Sequence, residues 1–228
     1  MWYDLFGTIN TIFIFVSLYG IYLQLNKIWL RKKNSQKKVT DILSQNQFTM
    51  SFLAYFSFFI YGYSIEPFNH YIVWPRLIAS LLITLILFEM WRDRQSNNSF
   101  ICLIFVGLAF IAGLSGLFYN DDFATQSKNV STILILVITV LLAQGYAHQI
   151  KLIIKNVNTG AIDIRMSQFI LLMDISTIAF ALSMGVTIGW PLIVLAVVSG
   201  STKLIIMYLF RWVRLSPIAE NRKLNIRI

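Results

Sequence analysis

Seven apolar stretches, each close to the length that crosses a bilayer, dominate this chain of 228 residues. They run over Leu5–Ile28, Phe48–Ser64, Tyr71–Trp91, Phe100–Phe118, Val130–Ile154, Gln168–Val186 and Trp190–Val213. A spanning helix needs about 20 mostly apolar residues, so seven spans leave no room for a separate soluble domain. With 57% hydrophobic and 13% charged residues and a mean hydropathy of +0.68, the sequence predicts an all-α membrane protein with seven transmembrane helices.

Most of the 19 lysines and arginines lie in alternate connections and in the C-terminal tail. The other connections carry mainly acidic residues, such as Glu66, Asp121 and Asp122. Because basic loops stay in the cytoplasm, this pattern predicts an outside N-terminus and a cytoplasmic C-terminus, and the short loops are typical of a bacterial inner membrane. The net charge of +9 is split among these clusters and forms no single stripe, which argues against a nucleic-acid partner.

Catalytic and metal-binding motifs do not occur in the sequence. It contains no metal-ligand spacing, no nucleotide-binding glycine loop and no combination of nucleophile and base. The single cysteine, Cys102, lies in an apolar stretch and cannot form an intramolecular disulfide. The acidic start, Met1 to Asp4, lacks the basic region of a signal peptide, so span one is expected to remain. We therefore expect neither an enzyme nor a cofactor.

The two ends of the chain resemble each other, which indicates an internal repeat. Gly20 and Gln24 match Gly145 and Gln149, and both glutamines lie near the cytoplasmic end of their spans. Further matches pair Asp41 with Asp163, Gln47 with Gln168, and Trp74-Pro75 with Trp190-Pro191. The predicted division is a first three-helix bundle (1–95), a linker helix (96–125), a second bundle (126–215) and a basic tail (216–228). Because the linker crosses once, the bundles are expected to be parallel. Chance similarity between two apolar triplets remains the alternative.

This 3+1+3 order, with a glutamine near the cytoplasmic end of spans one and five, resembles the PQ-loop and SWEET-like transporters over nearly the whole chain. Residues 158–163 and the Gly189-Trp190-Pro191 opening of span seven look like the second PQ-loop segment and the span that follows it. The proline of each Pro-Gln pair is replaced, by Leu23 and His148. The resemblance implies alternating access between two bundles, with the family's helix-bending prolines absent.

Two ionisable residues lie deep in apolar stretches, Asp174 in span six and Lys203 in span seven. Such groups usually face a bundle interior or a water-filled cavity. Spans six and seven are joined by a very short turn, so we expect the two side chains to form an ion pair or to exchange a proton. The alternative is a purely structural pair that fixes the register of two helices. In the first half, Thr49 or Leu53 is expected near the position of Asp174.

Other polar and aromatic side chains are candidates to line a site between the bundles. They are Gln24, Gln149, Gln144, His148, Ser80, Thr84, Ser199, Thr202, Trp74 and Trp190. His148 is a candidate proton relay, and the tryptophans are candidates for the outer gate or for interface anchors. Arg76, just inside span three, is expected to reach water or to guard the outer mouth.

The function that these features favour is transport of a small polar solute, such as a sugar, an amino acid or a vitamin precursor, by alternating access. Coupling to protons through Asp174, Lys203 and His148 is part of this hypothesis, and the expected partners are the lipid bilayer, the solute and protons. The alternative is a membrane receptor or accessory factor with the same fold, for sorting or for handling lipid-linked sugars. Fold alone does not separate the two.

Overall fold

The computed structural model describes residues 2–34, 38–64, 70–116 and 127–220, and this part of the chain folds into seven α-helices without a strand. In chain order they are α1 (Trp2–Lys33), α2 (Gln45–Ser64), α3 (His70–Arg94), α4 (Asn97–Gly116), α5 (Ser127–Asn156), α6 (Ile164–Ser183) and α7 (Val186–Leu215). The shortest have 20 residues, about 30 Å of helix, which matches the hydrocarbon core of a bilayer.

Six of these helices are long and apolar enough to cross a membrane. Each predicted span overlaps one helix, and α2 is the helix that falls outside the six within the described ranges. The amides of Gln45, Asn46 and Gln47 and the hydroxyls along α2 lower its hydropathy. Over the residues that the structure describes, the chain is therefore all-helical and has the character of an integral membrane protein. Glu66, Asp121 and Asp122, on which the predicted orientation partly depends, lie outside the described residues.

The packing of six helices closes into a ring. Helix α3 packs between α1 and α2, and α7 packs between α5 and α6. The two triplets meet where α1 contacts α6 and where α2 contacts α5. Helix α4 lies outside this ring, against α3 and α2. Exchanging α1 with α5, α2 with α6 and α3 with α7 leaves the contacts within the ring unchanged, as a repeat requires.

Two glycines allow the triplets to approach closely at equivalent places. A methyl group added at Gly20 on α1 would lie 3.2 Å from Met166 Cα on α6, and one added at Gly145 on α5 would lie 3.0 Å from Gln47 Cα on α2. Gly20 and Gly145 therefore match as the sequence predicts. The same contacts pair Gln47 with Met166, whereas the sequence comparison pairs Gln47 with Gln168. The structural alignment of the two triplets is therefore shifted by two residues from the sequence alignment in this region. The contacts between helices define which positions are equivalent, and the residue types at these positions differ.

Aromatic side chains attach α4 to the ring. Phe52 and Phe56 on α2 stack with centroids 5.2 Å apart, and Phe110 on α4 lies 5.3 Å from each of them. Gly113 makes this approach possible, because a methyl group there would lie 2.2 Å from Phe56 Cζ. The phenylalanines of α2 thus face neighbouring helices, one of the two orientations that a membrane helix offers them.

Candidate functional site

Three charged side chains from three helices of the ring interact in the interior. Asp174 on α6 is 1% exposed and Lys203 on α7 is 2% exposed. Arg76 on α3 is half-buried, and Asp174 interacts electrostatically with both Lys203 and Arg76. We call these three residues, together with the nearby Tyr55 and Tyr146, the interior charge cluster. The prediction that Asp174 and Lys203 come together inside the protein agrees with this arrangement.

The charges of the cluster do not neutralise one another by direct hydrogen bonds. Oδ2 of Asp174 is buried and has no hydrogen-bond partner within the described part of the chain, while the hydroxyl of Ser199 is close to the carboxyl group. The ammonium group of Lys203 lies over the ring of Tyr146, 3.5 Å from its centroid. The expected ion pair therefore takes the form of an electrostatic interaction at longer range, because the ring of Tyr146 holds the ammonium group.

The guanidinium group of Arg76 is held in a similar way by rings of α2. It lies 5.5 Å from the ring centroid of Tyr55 and 5.2 Å from that of Phe58. Arg76 therefore packs on the neighbouring helix and interacts with Asp174 across the ring of helices. The sequence predicts Arg76 near the end of a span and outside the site, and the packing of α3 on α2 brings it into the cluster.

Tyr55 and Tyr146 are buried members of the cluster that the sequence did not identify. The hydroxyl of Tyr146 lies near Ser51 and Gln47. Asp174 follows Met166 by eight residues, and Tyr55 follows Gln47 by the same number. In the register that the glycines define, Tyr55 is thus the counterpart of Asp174, in place of the expected Thr49 or Leu53. A repeat comparison in the correct register would have found it.

Gln24 and Gln149 form a second, symmetric feature away from the charges. Both are buried. Nε2 of Gln24 donates to the carbonyl of Ala161 (2.7 Å), and its Oε1 accepts from the amide of Asp163 (2.6 Å). A buried amide side chain that meets two backbone groups in this way satisfies donors and acceptors that would otherwise be unpaired.

Gln149 does the same in the other half. Its Nε2 donates to the carbonyl of Ile42 (2.7 Å), and its Oε1 accepts from the amide of Ser44. Ser44 caps α2 by accepting from the amide of Gln47 (3.1 Å), as Asp163 caps α6. Each glutamine therefore holds the residue that starts a helix of the opposite triplet, and Ser44, not Asp41, corresponds to Asp163.

The remaining predicted residues have other surroundings. His148 is exposed, and its Nδ1 lies 2.7 Å from the hydroxyl of Ser44. Gln144, Trp74 and Trp190 are also exposed.

The hydroxyls of Ser80, Thr84 and Thr202 donate to carbonyls of their own helices, those of Arg76, Ser80 and Ser199. Such back-bonding leaves only acceptor capacity on these hydroxyls. Of the predicted set, the structure thus brings Asp174, Lys203 and Ser199 together.

A second set of charges joins α1 to α3 near the basic ends of these helices. Glu89 is buried and accepts hydrogen bonds from Lys32 and from the indole of Trp29 (3.1 Å), with Arg92 at 3.6 Å. Its partners among the described residues are donors on the same two helices, so its role is structural. Within the described residues, no group of three or more His, Cys, Asp or Glu side chains could hold a metal ion.

Neither a scan against protein-family models nor a search of curated proteins returns a match to this chain.

Proposed function

We propose that this chain is a membrane transporter that carries a small polar solute by alternating access and binds it at the interior charge cluster. The observation that carries the proposal is the buried Oδ2 atom of Asp174, which has no hydrogen-bond partner among the described residues, although Lys203 lies on the adjacent α7 and Arg76 lies on α3 across the ring. In this proposal all seven helices cross a bacterial inner membrane, with the N-terminus outside and the C-terminus in the cytoplasm.

The energetics of burial support binding more than simple packing. An ionised group inside hydrocarbon costs several kcal/mol, and a buried pair offsets that cost only when its geometry is good and its remaining atoms are satisfied. Lys203 points at an aromatic ring and Asp174 keeps a free oxygen. A pair whose only role was to fix helix register would be expected to close. An open arrangement leaves hydrogen-bonding capacity for a solute or a proton.

The ring of helices supplies the two moving parts. We assign α1–α3 and α5–α7 as two parallel three-helix bundles, with α4 as the linker between them. The bundles contact each other along α1 and α6 and along α2 and α5. Members of the cluster come from both bundles, Tyr55 and Arg76 from one and Tyr146, Asp174 and Lys203 from the other. Rocking of one bundle against the other would expose the cluster first to one side and then to the other.

Proton coupling is part of the proposal. Asp174 and Lys203 interact electrostatically within the low-dielectric interior, so a proton on one changes the charge that the other experiences. His148, exposed beside Ser44, is assigned to proton relay on the cytoplasmic side. A solute that binds near Asp174 would then arrive together with a change in protonation.

The proposal is tested by uptake into proteoliposomes that contain the full chain, with and without a pH gradient. The probes are radiolabelled glucose, alanine, nicotinamide riboside and gluconate. We expect at least one probe to accumulate, and Asp174→Asn to remove the dependence on the gradient. The matched control is Asp41→Asn, which changes an exposed aspartate outside the helices and should leave uptake unchanged.

Equal gradient dependence in the native chain and in Asp174→Asn would remove Asp174 from the coupling mechanism. Failure of every probe to accumulate would contradict transport itself and would favour the receptor or accessory function that the sequence leaves open.

A further inference from the structure

The interior charge cluster has an excess of one positive charge. Among the described residues it contains two cations, Arg76 and Lys203, and one carboxylate, Asp174. This excess does not depend on where the proton between Asp174 and Lys203 resides. If Lys203 gives its proton to Asp174, both become neutral and the charge of Arg76 remains.

Among the described residues, the two cations contact aromatic rings and not carboxylates. Aromatic rings hold Lys203 and Arg76, and an interaction of a cation with a ring is weaker than a hydrogen bond between a cation and a carboxylate. An anionic group that entered the cluster would therefore gain more from these cations than the rings supply. A neutral sugar would leave the excess charge uncompensated in a low-dielectric interior.

The carboxylate of Asp174 adds a second requirement. Its buried Oδ2 accepts no hydrogen bond from the protein, so the solute should offer a donor. The absence of a side chain at Gly200 keeps atoms away from this oxygen, since a methyl group added there would lie 3.8 Å from Oδ2, in van der Waals contact. A hydroxyl or an amino group on the solute would satisfy this oxygen.

We infer that the solute is a small organic acid of net charge −1, either a hydroxycarboxylate or an acidic amino acid. Its carboxylate binds between Arg76 and Lys203, and its donor group binds Oδ2 of Asp174. The inference rests on the proposed transport function and narrows its substrate class to hydroxycarboxylates and acidic amino acids with a net charge of −1.

The test uses pairs of anionic and neutral solutes of nearly equal size. The pairs are glycerate with glycerol, gluconate with sorbitol, and aspartate with asparagine. The full chain in lipid nanodiscs is titrated with each solute while its Tm is followed, because a ligand of the folded state raises the Tm by mass action. We expect at least one anion to raise the Tm at concentrations where its neutral partner has no effect.

Variants locate the site of this effect. Arg76→Gln should weaken binding of that anion on the order of tenfold to a hundredfold, as expected for the loss of a charged hydrogen-bond partner. The matched control is Arg92→Gln on the same helix, whose side chain is 59% exposed and which should bind the anion as the native chain does. If Arg76→Gln does not fold, the comparison of anionic and neutral partners in the native chain decides alone.

The outcomes separate this inference from the proposed function. Equal stabilisation by a neutral partner, or no stabilisation by any of the three anions, overturns the monoanion inference. Uptake of a neutral probe into proteoliposomes together with that result would leave transport standing. Binding of an anion without uptake of any anion or other probe would support the monoanion site and contradict transport.

Discussion

Gln24 and Gln149 bind the same two backbone groups, a carbonyl and the amide two residues later, in opposite halves of the protein. Both side chains are almost completely buried. Each glutamine therefore connects a long helix of one triplet to the start of a helix in the other. This pair of contacts explains in physical terms why a glutamine recurs at these two positions of the repeat.

Replacement of either glutamine by leucine is expected to lower thermal stability. The change leaves one buried carbonyl and one buried amide without a partner, and each such group costs about 1 to 3 kcal/mol. Gln24→Leu and Gln149→Leu should therefore lower the Tm by similar amounts, measured by thermal unfolding in detergent. Gln168→Leu is the matched control, because Gln168 is exposed and its loss should change the Tm little. A Tm for the two buried variants that equals that of the control would contradict this explanation.

The contact between Lys203 and Tyr146 can be measured by a double-mutant cycle. A desolvated cation over an aromatic ring contributes about 2 kcal/mol. Tyr146→Leu removes the ring and should cost more stability in the native chain than in a Lys203→Met background, whereas Tyr146→Phe keeps the ring and should show little coupling. The measurement is the free energy of unfolding for the single and double variants. The same cost of Tyr146→Leu in both backgrounds would show that the ring does not hold the ammonium group.

Much of the fold is predictable because apolar length is a strong signal. Each of the seven helices in the described ranges overlaps one predicted apolar stretch, and Gly20, Gly145 and the two glutamines match as expected. Which residues of α2 and α6 occupy equivalent positions in the two repeats is not predictable from residue type. The sequence comparison pairs Asp41 with Asp163, but the position requires a helix cap, and serine caps as well as aspartate. Ser44 therefore caps α2 as Asp163 caps α6, and a search for a second aspartate does not find it.

The site is only partly predictable, for a related reason. Asp174 and Lys203 are recognisable because charges are rare inside apolar stretches. Arg76 lies near the start of its stretch, where a long side chain is expected to reach water, and only the packing of α3 on α2 places its guanidinium group against Tyr55. Tyr146 carries no charge and is one of many aromatic residues in the sequence. Nothing in the sequence pattern therefore identifies it as the residue that contacts Lys203.

Helix α4 should detach from the ring when Gly113 is enlarged. A side chain at this position meets Phe56, which is itself held by Phe52 and Phe110, so it cannot move aside easily. Gly113→Leu should therefore destabilise the protein by about 1 to 3 kcal/mol, the usual cost of overpacking. Gly107→Leu on the same helix is the control, since a methyl group there meets nothing within 4 Å. Equal Tm values for the two variants would contradict the observed packing of α4.

Whether α2 crosses the membrane can be decided by comparing the membrane side of a residue before α2 with that of a residue after α3. Asn34 precedes α2 and Gln95 follows α3. If both helices cross, the two positions lie on the same side, whereas crossing by α3 alone would put them on opposite sides. Single cysteines at Asn34, Gln95 and Gly185, introduced with Cys102→Ser, are labelled with a membrane-impermeant maleimide in right-side-out vesicles. We expect Gly185→Cys to react directly, and Asn34→Cys and Gln95→Cys to react only after the membrane is opened. Labelling of Asn34→Cys and Gln95→Cys from opposite sides would reduce the number of spans to six, and α2 would then have to lie along the membrane surface.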